Sequence, residues 1–208
     1  MQTLINGPAG ASHHFIFAHG AGAGMDHPFM DVVAENLGEA GIQVIRFEFP
    51  YMVKRRDDGK KRPPDRLPRL LEAFREQVVA QGDGHRLIIG GKSMGGRVAS
   101  LLAAEEAETL GIAGVICLGF PFHPPGKPER FRGEHLASIR TPTLILQGSR
   151  DTFGRREEVQ SYPFSPAVRC HFLEDGDHSF KPRKTSGFTE AGHLENAAER
   201  MASFILTF

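Results

Sequence analysis

The stretch Arg86-Leu87-Ile88-Ile89-Gly90-Gly91-Lys92-Ser93-Met94-Gly95-Gly96-Arg97-Val98-Ala99 decides how the rest of the chain is read. Three apolar residues run into a Gly-Gly pair. A serine and a second Gly-Gly pair follow, and then a helix-forming segment begins at Val98. The pattern predicts a strand, a sharp turn with Ser93 at its apex, and a helix. Gly91-x-Ser93-x-Gly95 has the form of a turn that exposes a nucleophile. A serine at such a tip has a strained backbone, so its neighbours must lack bulk, which Gly91 and Gly95 provide. The turn aims the N-terminus of the next helix at the serine, where N–H groups favour developing negative charge.

Two rival readings exist. Gly91-Lys92-Ser93 is also the end of a phosphate-binding loop, but that motif needs a glycine at position 86, which is Arg. A Gly-rich linker between a strand and a helix is the plainer alternative. The motif alone does not exclude it, so the rest of the chain must supply a base, an acid and an oxyanion site.

Working outward, His14 to Ala18 is an apolar strand that stops at His19-Gly20-Ala21-Gly22-Ala23-Gly24. A helix follows the Asp26-His27-Pro28 turn, with Phe29, Val32, Val33 and Leu37 at helical spacing and Gly41 as its stop. Gln43 to Phe49 reads as a strand. Residues 51–68 carry a crowd of charges and Pro63-Pro64. They predict a long basic, proline-containing loop, either a solvated surface segment or a lid. Leu67 to Ala80 is a helix. After the Ser93 unit come strands at Ile112 to Leu118, Pro142 to Gln147 and Ala167 to Leu173. Arg155 to Gln160 reads as a short helix, and an amphipathic helix closes the chain from Thr189 to Phe208. Near-continuous apolar strands alternating with helices indicate a single α/β domain over 1–208. Its expected core is a doubly wound, mostly parallel sheet of about six strands, covered by helices on both faces.

In such a sheet, ligands bind outside the carboxyl ends of the strands. Asp151 follows one strand in Gln147-Gly148-Ser149-Arg150-Asp151. His178 follows the last strand in Asp175-Gly176-Asp177-His178-Ser179. Nucleophile, acid and base thus occur in the chain order Ser93, Asp151, His178 on one edge. Asp175 and Asp177 compete for the acid role but suit the turn's own hydrogen bonds better. For the oxyanion, the candidate donors are the main-chain N–H of Met94 and that of Ala21, with Gly22 next. His19 fits a structural hydrogen-bonding role. Tyr51, Met52, Phe120, Phe122 and His123 follow strand ends and are expected to line a substrate pocket; packing loops onto the sheet is their competing role.

The 25 basic and 25 acidic residues balance, which gives no argument for nucleic acid or a membrane as partner. Cys117 and Cys170 make neither a disulfide framework nor a metal cluster. The histidine spacings do not suit a metal. No secretory signal or apolar run of membrane-spanning length is apparent, so a cytoplasmic location is expected. No cofactor is implied, and oligomeric state is not legible.

Several long stretches carry a family resemblance. They are His19-Gly20-Ala21-Gly22, Phe49-Pro50-Tyr51-Met52, Arg62-Pro63-Pro64-Asp65, Gly91 to Arg97, Gly119 to Lys127, Leu146 to Gly154 and Asp175 to Arg183. With them the chain resembles small α/β-hydrolases related to the hydrolase-like region of NSL chromatin complex subunit 3 and to testis-expressed homologues. Bacterial members are commonly called dienelactone-hydrolase-like. The resemblance implies an α/β-hydrolase fold with a minimal cap and a Ser93, Asp151, His178 triad of serine esterase type. A small acyl substrate is expected. Acyl transfer, peptide cleavage and a non-catalytic interaction module remain as alternatives.

Overall fold

The computed structural model describes residues 2–82 and 84–208. Its strands are β1 Thr3–Asn6, β2 His13–Ala18, β3 Gln43–Phe47, β4 Arg86–Lys92, β5 Ile112–Leu118, β6 Thr143–Gly148 and β7 Val168–Leu173. Its helices are α1 Pro28–Glu39, α2 Pro50–Asp58, α3 Leu67–Ala80, α4 Met94–Glu106, α5 Arg156–Val159 and α6 Glu190–Ile205, with a 3₁₀ turn at Glu134–Ala137. The seven strands form one sheet in the order β1-β3-β2-β4-β5-β6-β7. Only β1 is antiparallel; every other neighbouring pair is parallel.

Successive residues of a strand face opposite sides of the sheet, so each interior strand feeds two cores. Phe15, Phe17, Ile88, Ile116 and Leu146 pack beneath α1 and α6. Ile16, Ala18, Ile89, Cys117 and Ile145 pack beneath α2, α3 and α4. This two-sided burial is why these strands read as unbroken apolar runs.

One expectation is refined and one corrected. Among the described residues the sheet has seven strands, where about six were expected. The extra one, β1, is a four-residue edge strand with Ile5 exposed, so it lacks the apolar run that marks an interior strand. Residues 51–68 are not simply a long loop. Pro50 opens α2 at its first position, and Gly59 closes it in the left-handed conformation, φ 69°. Only Tyr51 and Met52 of that helix are buried. One apolar turn followed by Lys54-Arg55-Arg56-Asp57-Asp58 leaves no helical periodicity to detect. The loop proper is the segment 59–66, and Asp65 within it accepts from the Tyr51 N–H at 2.9 Å.

Candidate active site

β4 delivers Ser93 to the centre of the sheet's carboxyl edge. Ser93 has φ 51° and ψ −115°, a strained conformation for a residue with a side chain. Two main-chain bonds hold it there: Ser93 N–H donates to Leu118 O at 2.8 Å, and Arg97 N–H donates to Ser93 O at 3.1 Å. The flanking glycines are sterically required. A Cβ on Gly95 would stand 2.6 Å from both Ala18 O and His19 O, and one on Gly91 would meet Gly95 C at 2.5 Å. Ser93→Gly and Ser93→Ala both remove the hydroxyl, but only glycine relaxes the backbone. The glycine variant should therefore be the more stable by about 1 kcal/mol, the strain minus glycine's entropic penalty. Urea unfolding of the two variants measures the difference, and equal midpoints would show that the strain does not exceed glycine's entropic penalty.

The loop after β7 brings His178 over this turn. Its Nε2 lies 2.9 Å from Ser93 Oγ, and its Nδ1 lies 2.7 Å from Asp151 Oδ2. A carboxylate only accepts, so Nδ1 carries the proton and Nε2 is left as an acceptor for the serine hydroxyl. Phe153 covers the imidazole, with ring centroids 4.3 Å apart. The loop is stiffened internally. Asp177 Oδ1 accepts from the N–H groups of Ser179 and Lys181, and Asp175 pairs with Arg150 and Arg183. Both competing aspartates are thereby engaged away from the imidazole. Gly148 must be glycine because this loop crosses it: a Cβ there would lie 2.2 Å from Asp177 O.

Asp151 is fully buried. Besides His178, its carboxylate accepts from Phe153 N–H at 2.8 Å and from Gln147 Nε2 at 2.9 Å. Gln147 is itself fully buried, and its Oε1 accepts from Phe120 N–H at 2.8 Å. The sequence reading missed Gln147. Its signal was a lone amide ending the apolar run Leu144-Ile145-Leu146, where a buried polar group requires partners.

The loop after β2 reaches the serine from the other side. A Cβ on Gly20 would be 3.7 Å from Ser93 Cβ. Its carbonyls are tied back one after another. His19 Nδ1 donates to Gly20 O at 2.7 Å, Tyr51 Oη donates to Ala21 O at 3.0 Å, and Arg55 donates to Gly22 O at 3.1 Å. Each carbonyl in a trans peptide points opposite to the next residue's N–H. The N–H groups of Ala21, Gly22 and Ala23 therefore point away from those anchors. Among the described residues, neither the Ala21 nor the Met94 N–H donates to a protein acceptor. His19 also accepts from Phe49 N–H at 3.1 Å. Burial lowers its pKa and keeps it neutral.

Ser93 and His178 open onto a cleft of about 310 Å³. Its walls are the Gly20–Gly24 loop with His27, Phe29, Met30, Lys92, Phe153 and Ser179. The five residues expected in the pocket do not line it. Tyr51, Met52, Phe120, Phe122 and His123 are 0–5% exposed. Phe122 packs among Phe120, Phe131, Tyr162 and Phe164, and Tyr51 braces the Gly loop from behind. Following a strand end places a residue near the site, but it does not fix the direction of its side chain. The apolar wall comes instead from α1, whose Phe29 and Met30 also satisfy the core pattern. The positive charges around the site are largely spoken for: Arg183 pairs with Asp175, Lys181 with Glu190, and Arg97 donates to Arg132 O.

A family model described as an alpha/beta hydrolase domain matches residues 11–206. A dienelactone hydrolase from Anabaena variabilis is 20% identical over 99% of this chain and 91% of its own, with a TM-score of 0.75. Est1E from Butyrivibrio proteoclasticus, solved with ferulic acid bound, is 17% identical over 99% and 94%, with a TM-score of 0.73. A monoacylglycerol lipase from Paleococcus ferrophilus is 12% identical over 99% and 98%, with a TM-score of 0.72. At these identities the structures share the fold. Among the described residues, no helix is long and apolar enough to cross a membrane.

Proposed function

Because the chain belongs to the alpha/beta hydrolase domain family and hydrolase chemistry goes with that membership, we propose that it is a serine hydrolase cleaving a small acyl ester. Ser93 Oγ attacks the acyl carbonyl while His178 Nε2 takes its proton. The imidazolium then gives that proton to the leaving alcohol, and an acyl-enzyme forms. Water, deprotonated by the same nitrogen, releases the acid and restores the serine. Asp151 fixes the imidazole's tautomer and stabilises its charged form. The N–H groups of Met94 and Ala21 hold the oxyanion, with Gly22 beside them; each such donor lowers the barrier by about 3–4 kcal/mol.

The observation that carries this reading is the unbroken hydrogen-bonded path from Ser93 through His178 to buried Asp151, opening on a cleft. The cleft's Phe29, Met30 and Phe153 favour an uncharged, apolar acyl group of modest size. The ferulic acid bound to Est1E makes aromatic acyl esters worth including. The test is mass mapping of a fluorophosphonate adduct, together with hydrolysis of a series of 4-nitrophenyl esters and methyl ferulate. The adduct is expected on Ser93, with short or aromatic acyl groups turned over faster than long chains. An adduct on another residue, or no hydrolysis of any of these esters, would overturn the proposal and favour a non-catalytic role for the fold.

A further inference from the structure

We propose that Lys92 is a positioning residue for His178: its ammonium ties the nucleophile turn to the loop carrying the base and so holds the imidazole at bonding distance from Ser93. This rests on the roles given above to Ser93 and His178. Lys92 ends β4, directly before the serine. Its Nζ donates to the main-chain oxygen of His178, 86 residues further along the chain. The rings of Phe29 and Phe180 lie with their centroids 5.3 Å and 5.9 Å from the same nitrogen, within reach of a cation–π attraction.

Gly119 completes the contact. It has φ 62°, and a Cβ there would stand 2.9 Å from Lys92 Nζ, 2.9 Å from His178 O and 3.3 Å from His178 Nδ1. Ammonium, carbonyl and imidazole therefore meet over one spot that only glycine leaves open. This arrangement spends the ammonium on the base loop rather than on an incoming substrate anion.

The charge itself is unpaired. Among the described residues, Lys92 forms no ion pair. The charged and titratable groups around it are Asp151 from the loop after β6 and Asp177 and His178 from the loop after β7. α1 and the loop after β5 face it with Phe29 and Gly119, which do not titrate. Asp151 and Asp177 direct their oxygens elsewhere. Burial lowers the Lys92 pKa to about 8, with attraction from the two aspartates opposing the fall. A cation held under such a penalty weakens its grip when it deprotonates, because a charge-assisted hydrogen bond is about twice as strong as a neutral one.

The test is the second-order rate of fluorophosphonate inactivation from about pH 6 to 10, spanning the lowered Lys92 value and approaching the ordinary lysine one. Wild type, Lys92→Met and Lys92→Arg are compared, with Ser93→Ala as the unlabelled control. Wild type should lose rate above about pH 8. Lys92→Met should be slower by about 100-fold, the scale of a misplacement of about 1 Å. It should show no fall near that pH, and in ester hydrolysis kcat should drop with KM little changed. Lys92→Arg keeps its charge throughout, so it should react faster than Lys92→Met and hold its rate at alkaline pH. A packing role would not move the alkaline limb, and if Lys92→Met does not fold, the Lys92→Arg profile decides alone. A variant rate and pH profile matching wild type would overturn the inference while leaving the Ser93 reading intact. Wild-type labelling that never reaches Ser93 would remove both.

Discussion

Ser93→Ala is expected to lower ester turnover by about 10⁶-fold, the scale seen when a triad nucleophile is removed, and to abolish fluorophosphonate labelling. The loss follows from the geometry. The hydroxyl 2.9 Å from His178 Nε2 is the group that the imidazole can deprotonate, and an alanine methyl offers neither a proton nor a lone pair. Only the stabilisation from oxyanion donors and substrate binding would remain. The fold should survive. The two bonds that fix the turn, Ser93 N–H to Leu118 O and Arg97 N–H to Ser93 O, are main-chain bonds that alanine retains. The removed hydrogen bond contributes about 0.5–1.5 kcal/mol to stability, so thermal unfolding should shift by only a few degrees. Burst kinetics with a 4-nitrophenyl ester and a thermal melt check both halves. Turnover that persists in Ser93→Ala would point to Ser179, which shares the cleft.

Asp151→Asn should have the second-largest effect, about 10⁴-fold in kcat, as expected for loss of the triad carboxylate. The buried carboxylate accepts three donors: His178 Nδ1 and Gln147 Nε2 at one oxygen, Phe153 N–H at the other. An asparagine NH₂ must meet a donor in either orientation. Turned toward His178, it forces the proton onto Nε2, where it faces Ser93 and the imidazole can no longer act as base. Turned toward Phe153, it leaves a buried N–H without an acceptor, a penalty of about 1–3 kcal/mol. The variant should thus be both slower and less stable, which separates it from Ser93→Ala. Kinetics across the neutral range with a urea melt provide the check, and an asparagine variant with wild-type kcat would show that Asp151 does not orient the base.

The same particulars show where a sequence reading succeeds and where it stops. Gly91-x-Ser93-x-Gly95 was legible because a strained turn tolerates only glycine at those points, and the structure gives each glycine a clash that a Cβ would cause. The order Ser93, Asp151, His178 was legible because a parallel sheet returns every strand's carboxyl end to one edge. β1 and α2 were not legible, since neither has a long apolar run or period. The substrate pocket was not either. Phe120 and Phe122 sit at a strand end but turn into the core, while Phe29 and Met30 look like ordinary helix core and wall the cleft.

The layered α/β architecture and the candidates for nucleophile, acid and base can be read along the chain, because these depend on local sterics, apolar patterning and chain order. Which side chains face the cleft, that Gln147 holds Asp151, and that Lys92 reaches the carbonyl of His178 emerge only from the folded molecule. Those facts depend on directions and distances between segments far apart in the chain, fixed only when the sheet and its two helical layers pack together.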